Sequence, residues 1–113
     1  MLFAVIQPNK LQAVREALNQ MGVQRMTVVD AQGYGRQKGQ SASYRGIEYR
    51  VNLLRKVTLE ICVNDDFVER TIETITSIAK TGSEGSVGDG KIFILPMMEA
   101  ITIDDGQRGP GAV

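Results

Sequence analysis

Two glycine-spaced segments carry the groups in this chain best suited to holding an anion. The first is Gly33-Tyr34-Gly35-Arg36-Gln37-Lys38-Gly39, followed by Tyr44-Arg45-Gly46-Ile47-Glu48-Tyr49. The second runs from Thr81 through Gly82, Gly85 and Gly88 to Asp89-Gly90-Lys91. Glycines let consecutive backbone amides turn toward one point, and a lysine or arginine beside them supplies charge. The chemistry this suggests is capture of a phosphate or carboxylate. Bond-breaking is less well provided for. The chain has no histidine, so it lacks the commonest general base and the commonest zinc ligand.

Neither segment matches a standard nucleotide motif. Gly85-Ser86-Val87-Gly88-Asp89-Gly90-Lys91 has the spacing of a Walker A loop up to its lysine, but Ile92 stands where a magnesium-binding hydroxyl belongs. Its order is also reversed, since it leads from a helix into a strand. Gly33 to Gly39 does not match G-x-G-x-x-G. Glu60, Asp65 and Asp66 read better as a solvated strand face and a helix start than as an acid–base pair. Cys62 is the only cysteine, which rules out an internal disulfide, fits a reducing compartment, and reads best as a small apolar residue.

Periodicity supplies the elements that must position these groups. Leu2–Ile6 reads as a buried strand. Asn9 and Gln12 fit a capping box for a helix over 10–21, with Leu11, Val14, Leu18 and Met21 as its stripe and Gly22 as its stop. Val23–Ala31 reads as a second strand. A long polar loop then extends to about Arg55. Val57, Leu59, Ile61 and Val63 alternate as a third strand. Asn64 is a candidate cap for a second helix with Asp65 and Asp66 in its first turn and Val68, Ile72, Ile75, Ile78 and Ala79 as its stripe. Ile92–Leu95 and Ile101–Asp104 read as the last strands, and Asp105–Val113 as a flexible glycine-rich tail. The order β-α-β-β-α-β specifies an α+β, ferredoxin-like split βαβ: one antiparallel sheet with two helices on one face. The open face needs a cover, and an oligomer provides one.

Composition bounds the rest. With 113 residues and 42% apolar content, the chain suits one domain with a genuine core. Thirteen cationic and thirteen anionic residues cancel, which argues against a nucleic-acid binder. The third strand has no aromatic for base stacking, which argues against an RNA-binding module. No run approaches a membrane span, and Met1–Ile6 is too short for a signal-peptide core, so the expected location is cytoplasmic.

Taken in order, the segments resemble the nitrogen-regulatory PII signal-transduction proteins. The resemblance rests on Lys10-Leu11, Val14-Arg15-Glu16-Ala17-Leu18, Gly22-Val23 and Met26-Thr27-Val28. To these are added Gly33–Gly39, Tyr44-Arg45-Gly46-x-Glu48-Tyr49 and Gly88-Asp89-Gly90-Lys91-Ile92-Phe93. It implies a non-enzymatic homotrimer, a PII-like domain over 1–104, and a T-loop at about 36–55. ATP or ADP would lie in inter-subunit clefts, with 2-oxoglutarate joining Mg-ATP. By position, Gly35, Arg36 and Gln37 would line one side of the nucleotide site and Gly88, Asp89, Gly90 and Lys91 the other. Thr27 and Cys62 would lie near the base. Gln37 would help hold magnesium, and Gln37, Lys38, Gly39 and Lys56 would receive 2-oxoglutarate. Tyr49 matches a tyrosine that some relatives uridylylate and is equally suited to docking. Arg45 matches an arginine that plugs a transporter pore. The implied partners are an ammonium transporter or an enzyme of nitrogen metabolism.

The chain departs from that pattern in several places. Thr102 and Asp104 stand where the family's last strand supplies two arginines. A unit charge pair at about 4 Å is worth ~4 kcal/mol at an effective dielectric near 20, so replacing a cation by an anion is a large change. Ser83-Glu84-Gly85-Ser86-Val87 lengthens the phosphate loop, Gln7 replaces a cation near the acid site, and Ile47 replaces a small residue. Arg108 is a candidate replacement cation. An alternative reading follows: a divergent sensor of ADP, AMP or another small anion serving a membrane transporter outside core nitrogen control. A small ferredoxin-like enzyme is the remaining class, and it lacks a nucleophile–base pair.

Overall fold

The computed structural model describes residues 1–35 and 52–113. Four strands form one antiparallel sheet: β1 (Leu2–Ile6), β2 (Thr27–Gly35), β3 (Asn52–Ile61) and β4 (Gly90–Ile94), in the order β2-β3-β1-β4. Helices α1 (Leu11–Gln20) and α2 (Val68–Ala79) follow β1 and β3 and pack against each other. This is the split βαβ arrangement.

The register explains why one face is dry. Leu2, Ala4 and Ile6 of β1 stand opposite Ile61, Leu59 and Val57 of β3. All six are buried, and Val14 and Leu18 of α1 and Ile75 and Ala79 of α2 complete the core over them. Thr71 is also fully buried, and its hydroxyl is satisfied by donating to the Phe67 carbonyl at 2.7 Å. The alternate residues form the open face. Phe3 pairs with Phe93 and Val5 with Lys91. Phe93 is 52% exposed.

Both helices start differently from the sequence expectation. Pro8–Lys10 forms a short 3-10 turn before α1, with Pro8 in its first turn. Proline's preset φ starts the helical path early and carries Asn9 inside it. No side-chain cap forms, and Gln12 donates to Glu16 at 3.2 Å instead. Asn64 precedes the analogous 3-10 turn Asp65–Phe67 without a side-chain bond. The stop at Gly22 is as expected. With φ at 99°, it lets Val23 donate to Leu18 and Gly22 to Asn19, the paired bonds of a Schellman motif.

That motif corrects the start of β2. Val23 is consumed in closing α1 and is buried, so the strand begins at Thr27, opposite Glu60. The β2–β3 ladder then continues to Gly35 opposite Asn52. Residues 32–35 and 52–55, expected as loop, are therefore paired strand. The expected strand at Ile101–Asp104 is absent. Ile101 makes a single bridge to Arg108, and residues 103–105 are turn. Ile101 and Ile103 are 52% and 99% exposed. Among the described residues their alternation meets no partner strand, while Asp104-Asp105-Gly106 is turn chemistry. Residues 109–112 form a 3-10 turn.

Candidate functional site

The connection from α2 to β4, residues 80–90, is ordered from within by Asp89. One carboxylate oxygen accepts from the Thr81 hydroxyl at 2.6 Å and from Gln7 Nε2 at 3.3 Å. The other accepts from the backbone N–H of Thr81 at 2.9 Å and of Ser86 at 2.8 Å. The Thr81 hydroxyl first, then the Thr81 and Ser86 amides, hold the Asp89 carboxyl down to about 2 from an ordinary 3.8. The loop closes on itself through Gly85 N–H to Thr81 at 2.9 Å and Asp89 N–H to Ser86 at 3.1 Å. Four donors on one carboxylate make this a shaped loop.

Glycine is required where the loop rejoins the sheet. Gly90 has φ at 127°, and a Cβ there would lie 1.9 Å from the Val5 carbonyl oxygen. Gly85 and Gly88 also have positive φ, at 82° and 102°. Such turns present backbone N–H groups on a concave surface. Two lysines flank it at the same end of the sheet. Lys56 of β3 donates its ammonium to the Gly88 carbonyl. Lys91 of β4 is exposed beside Val5 on the open face. Behind the loop, a depression of about 710 Å³ opens between α2 and β4, lined by Ile72, Ile75, Ile92 and Ile94 with Lys80 and Asp89.

The other expected site residues fall into two groups. Thr27 and Cys62 lie toward the far end of the sheet: Thr27 opposite Glu60, and Cys62 just past Ile61. Glu60 is four strand positions from Lys56, or about 13 Å along the strand. Cys62 Sγ lies 3.5 Å from Met97 Sδ, in a depression of about 950 Å³ that the tail residues Pro110 and Val113 also line. Within one chain, then, Thr27 and Cys62 are not brought to the 80–90 loop. Gly35 ends β2 opposite Asn52. Arg36, Gln37, Lys38, Gly39, Arg45 and Tyr49 lie outside the described residues.

Several contacts escape the sequence reading. Gln7, read as a lost cation, is a donor to Asp89. Thr81 and Ser86 are the main partners of Asp89, and the only hint was an aspartate flanked by glycines in a loop rich in Ser and Thr. Arg108 is engaged by Glu99 at 3.1 Å, with both side chains largely exposed. Among the described residues no cluster of three or more Cys, Asp or Glu side chains is arranged to hold a metal ion, and no helix is long and apolar enough to cross a membrane.

Known proteins match this chain over nearly its whole length. The family model described as nitrogen regulatory protein P-II covers residues 1–107. Nitrogen regulatory protein P-II of Rhodospirillum rubrum is 49% identical over 110 residues, which is 97% of this chain and 96% of the relative. Nitrogen regulatory protein GlnK1 of Methanosarcina mazei is 48% identical over 112 residues, 99% and 95% of the two chains. Nitrogen regulatory protein P-II 1 of Escherichia coli is 46% identical over 110 residues, 97% and 96%. A fold of the expected topology and this extent of identity agree: the chain belongs to the P-II family of nitrogen regulatory proteins.

Proposed function

We propose that this protein is a non-enzymatic sensor of adenine nucleotides that reports to nitrogen-metabolism partners through the T-loop at about 36–55. The observation that carries the proposal is the 81–91 loop, held in shape by Asp89 and flanked by Lys56 and Lys91. The phosphates of ATP or ADP are the ligand groups that suit such a loop. Gly88, Asp89, Gly90 and Lys91 form one wall, with Asp89 acting as organiser because its oxygens are already committed. The T-loop base, Gly35 to Gln37, is the other wall, and Gln37 is the magnesium ligand when Mg-ATP and 2-oxoglutarate bind with Lys38, Gly39 and Lys56.

The distance of Thr27 and Cys62 from the phosphate loop supports a site completed by a neighbouring subunit, and the exposed apolar side chains Phe93 and Val29 on the open face support a homotrimer. Ligand binding energy then shifts the populations of T-loop conformations that a partner, an ammonium transporter or enzyme, reads through Arg45 and Tyr49. The working location is the cytoplasm. A second reading is favoured by Thr102 and Asp104: a receptor for ADP or AMP rather than ATP, since the two positions bring no cation and one anion to the outer phosphates.

Thermal shift with ATP, ADP and AMP, with and without magnesium and 2-oxoglutarate, tests both. A ligand that binds only the folded protein at ~100 times its dissociation constant stabilises it by about 2.7 kcal/mol. Stabilisation by ATP or ADP that increases with 2-oxoglutarate and magnesium supports the first reading. Stabilisation by ADP or AMP but not ATP supports the second. No shift with any adenine nucleotide rejects both.

A further inference from the structure

Lys56 is expected, by resemblance, to receive the carboxylate of 2-oxoglutarate. In this chain it has a partner without any acid: its ammonium donates to the backbone carbonyl of Gly88. Its stem lies across Gly33 of the neighbouring strand, where an added Cβ would meet Lys56 Cγ at 3.9 Å. Gln7, just past the end of β1, ties the same loop to the sheet through Asp89. The loop is thus anchored from two adjacent strands, on consecutive residues.

We infer that Lys56 is a positioning residue of the phosphate loop, holding Gly88 in place and keeping a cation at its anion site whether or not an acid is present. An ammonium has three donors. The Gly88 carbonyl takes one, which leaves two for an anion seated beside the loop. That arrangement does not draw on Arg108, which pairs with Glu99. Gln7 adds the second anchor without adding a charge. The inference rests on the nucleotide-sensor reading for its ligand and on the Lys56 and Gln7 contacts for the loop.

The test uses the full chain with Lys56→Met, Lys56→Arg and Gln7→Leu. In the ligand-free protein, hydrogen exchange is followed at the Thr81, Gly85, Ser86 and Asp89 amides, all bonded within the loop. A hydrogen bond to a charged group is worth enough that Lys56→Met should speed their exchange about tenfold or more. Lys56→Arg should restore protection, Gln7→Leu should act in the same direction as Lys56→Met, and the β1 amides should keep wild-type rates in all three. In the second arm, ADP affinity without 2-oxoglutarate should fall about tenfold in Lys56→Met and recover in Lys56→Arg. Wild-type loop exchange in Lys56→Met, or unchanged ADP affinity, overturns the inference and leaves Lys56 to the acid alone. If the wild-type chain binds no ADP, the sensor reading fails, and the exchange arm still decides whether Lys56 and Gln7 hold the loop.

Discussion

The carboxylate of Asp89 is the group that holds the 80–90 loop together. Its four hydrogen bonds shape the loop, so its charge is useful to the fold only while ionised. Because its folded pKa, about 2, lies below the ordinary 3.8, the stabilisation is fully present above about pH 4 and is lost as pH falls toward 2. Asp89→Asn should therefore lose stability relative to wild type at neutral pH, and the gap should narrow as acid is added; urea unfolding at pH 7, 4 and 2.5 measures it. A gap that widens with acid contradicts the assignment. Gly90 offers a sharper steric contrast. Gly90→Ala forces a Cβ onto the Val5 carbonyl and should destabilise by ~3 kcal/mol or more. Gly82→Ala, at φ 66° with nothing within 4 Å, should cost only ~1 kcal/mol. Equal losses in urea melts would mean that the approach to Val5 is relaxed.

At the scale of elements, what the sequence reveals depends on whether an element's partners lie nearby in the chain. The alternation of Val57, Leu59 and Ile61 and the helical spacing of Leu11, Val14 and Leu18 predict buried faces because one dry core enforces both periods. The stop at Gly22 was legible for the same local reason, and Gly22→Ala should cost ~1 kcal/mol by thermal melting through its φ of 99°. A wild-type melting temperature would remove the Schellman motif from the account. Boundaries set by distant pairing were not legible. Val23 looked like strand because it is apolar, yet its amide closes α1. Ile101 and Ile103 read as strand because they alternate, yet among the described residues they meet no neighbouring strand, and they end in a turn. Of the candidate site, the glycine loop and Lys91 stand out from residue types alone. The Gln7–Asp89 and Lys56–Gly88 contacts do not, since they join residues 82 and 32 positions apart.

At the scale of the molecule, the sheet is half finished. One face is sealed by α1 and α2, while the other carries the Phe3–Phe93 pair with Phe93 half exposed. The sensor reading covers that face with two further copies and completes each nucleotide site between neighbours. Phe93→Glu puts a charge into such an interface, where an unpaired buried charge is strongly unfavourable. In analytical ultracentrifugation the wild type should sediment as a trimer and the variant as a smaller species; a monomeric wild type would contradict the shared site. In the proposed function the loop from Thr81 to Lys91 seats the phosphates of an adenine nucleotide. Calorimetric titration of ADP and ATP into wild type and Lys91→Met addresses it most directly. The account predicts one nucleotide per chain for the wild type and binding weakened about tenfold or more in the variant. Absence of binding to the wild type, or equal affinity in the two proteins, would contradict it.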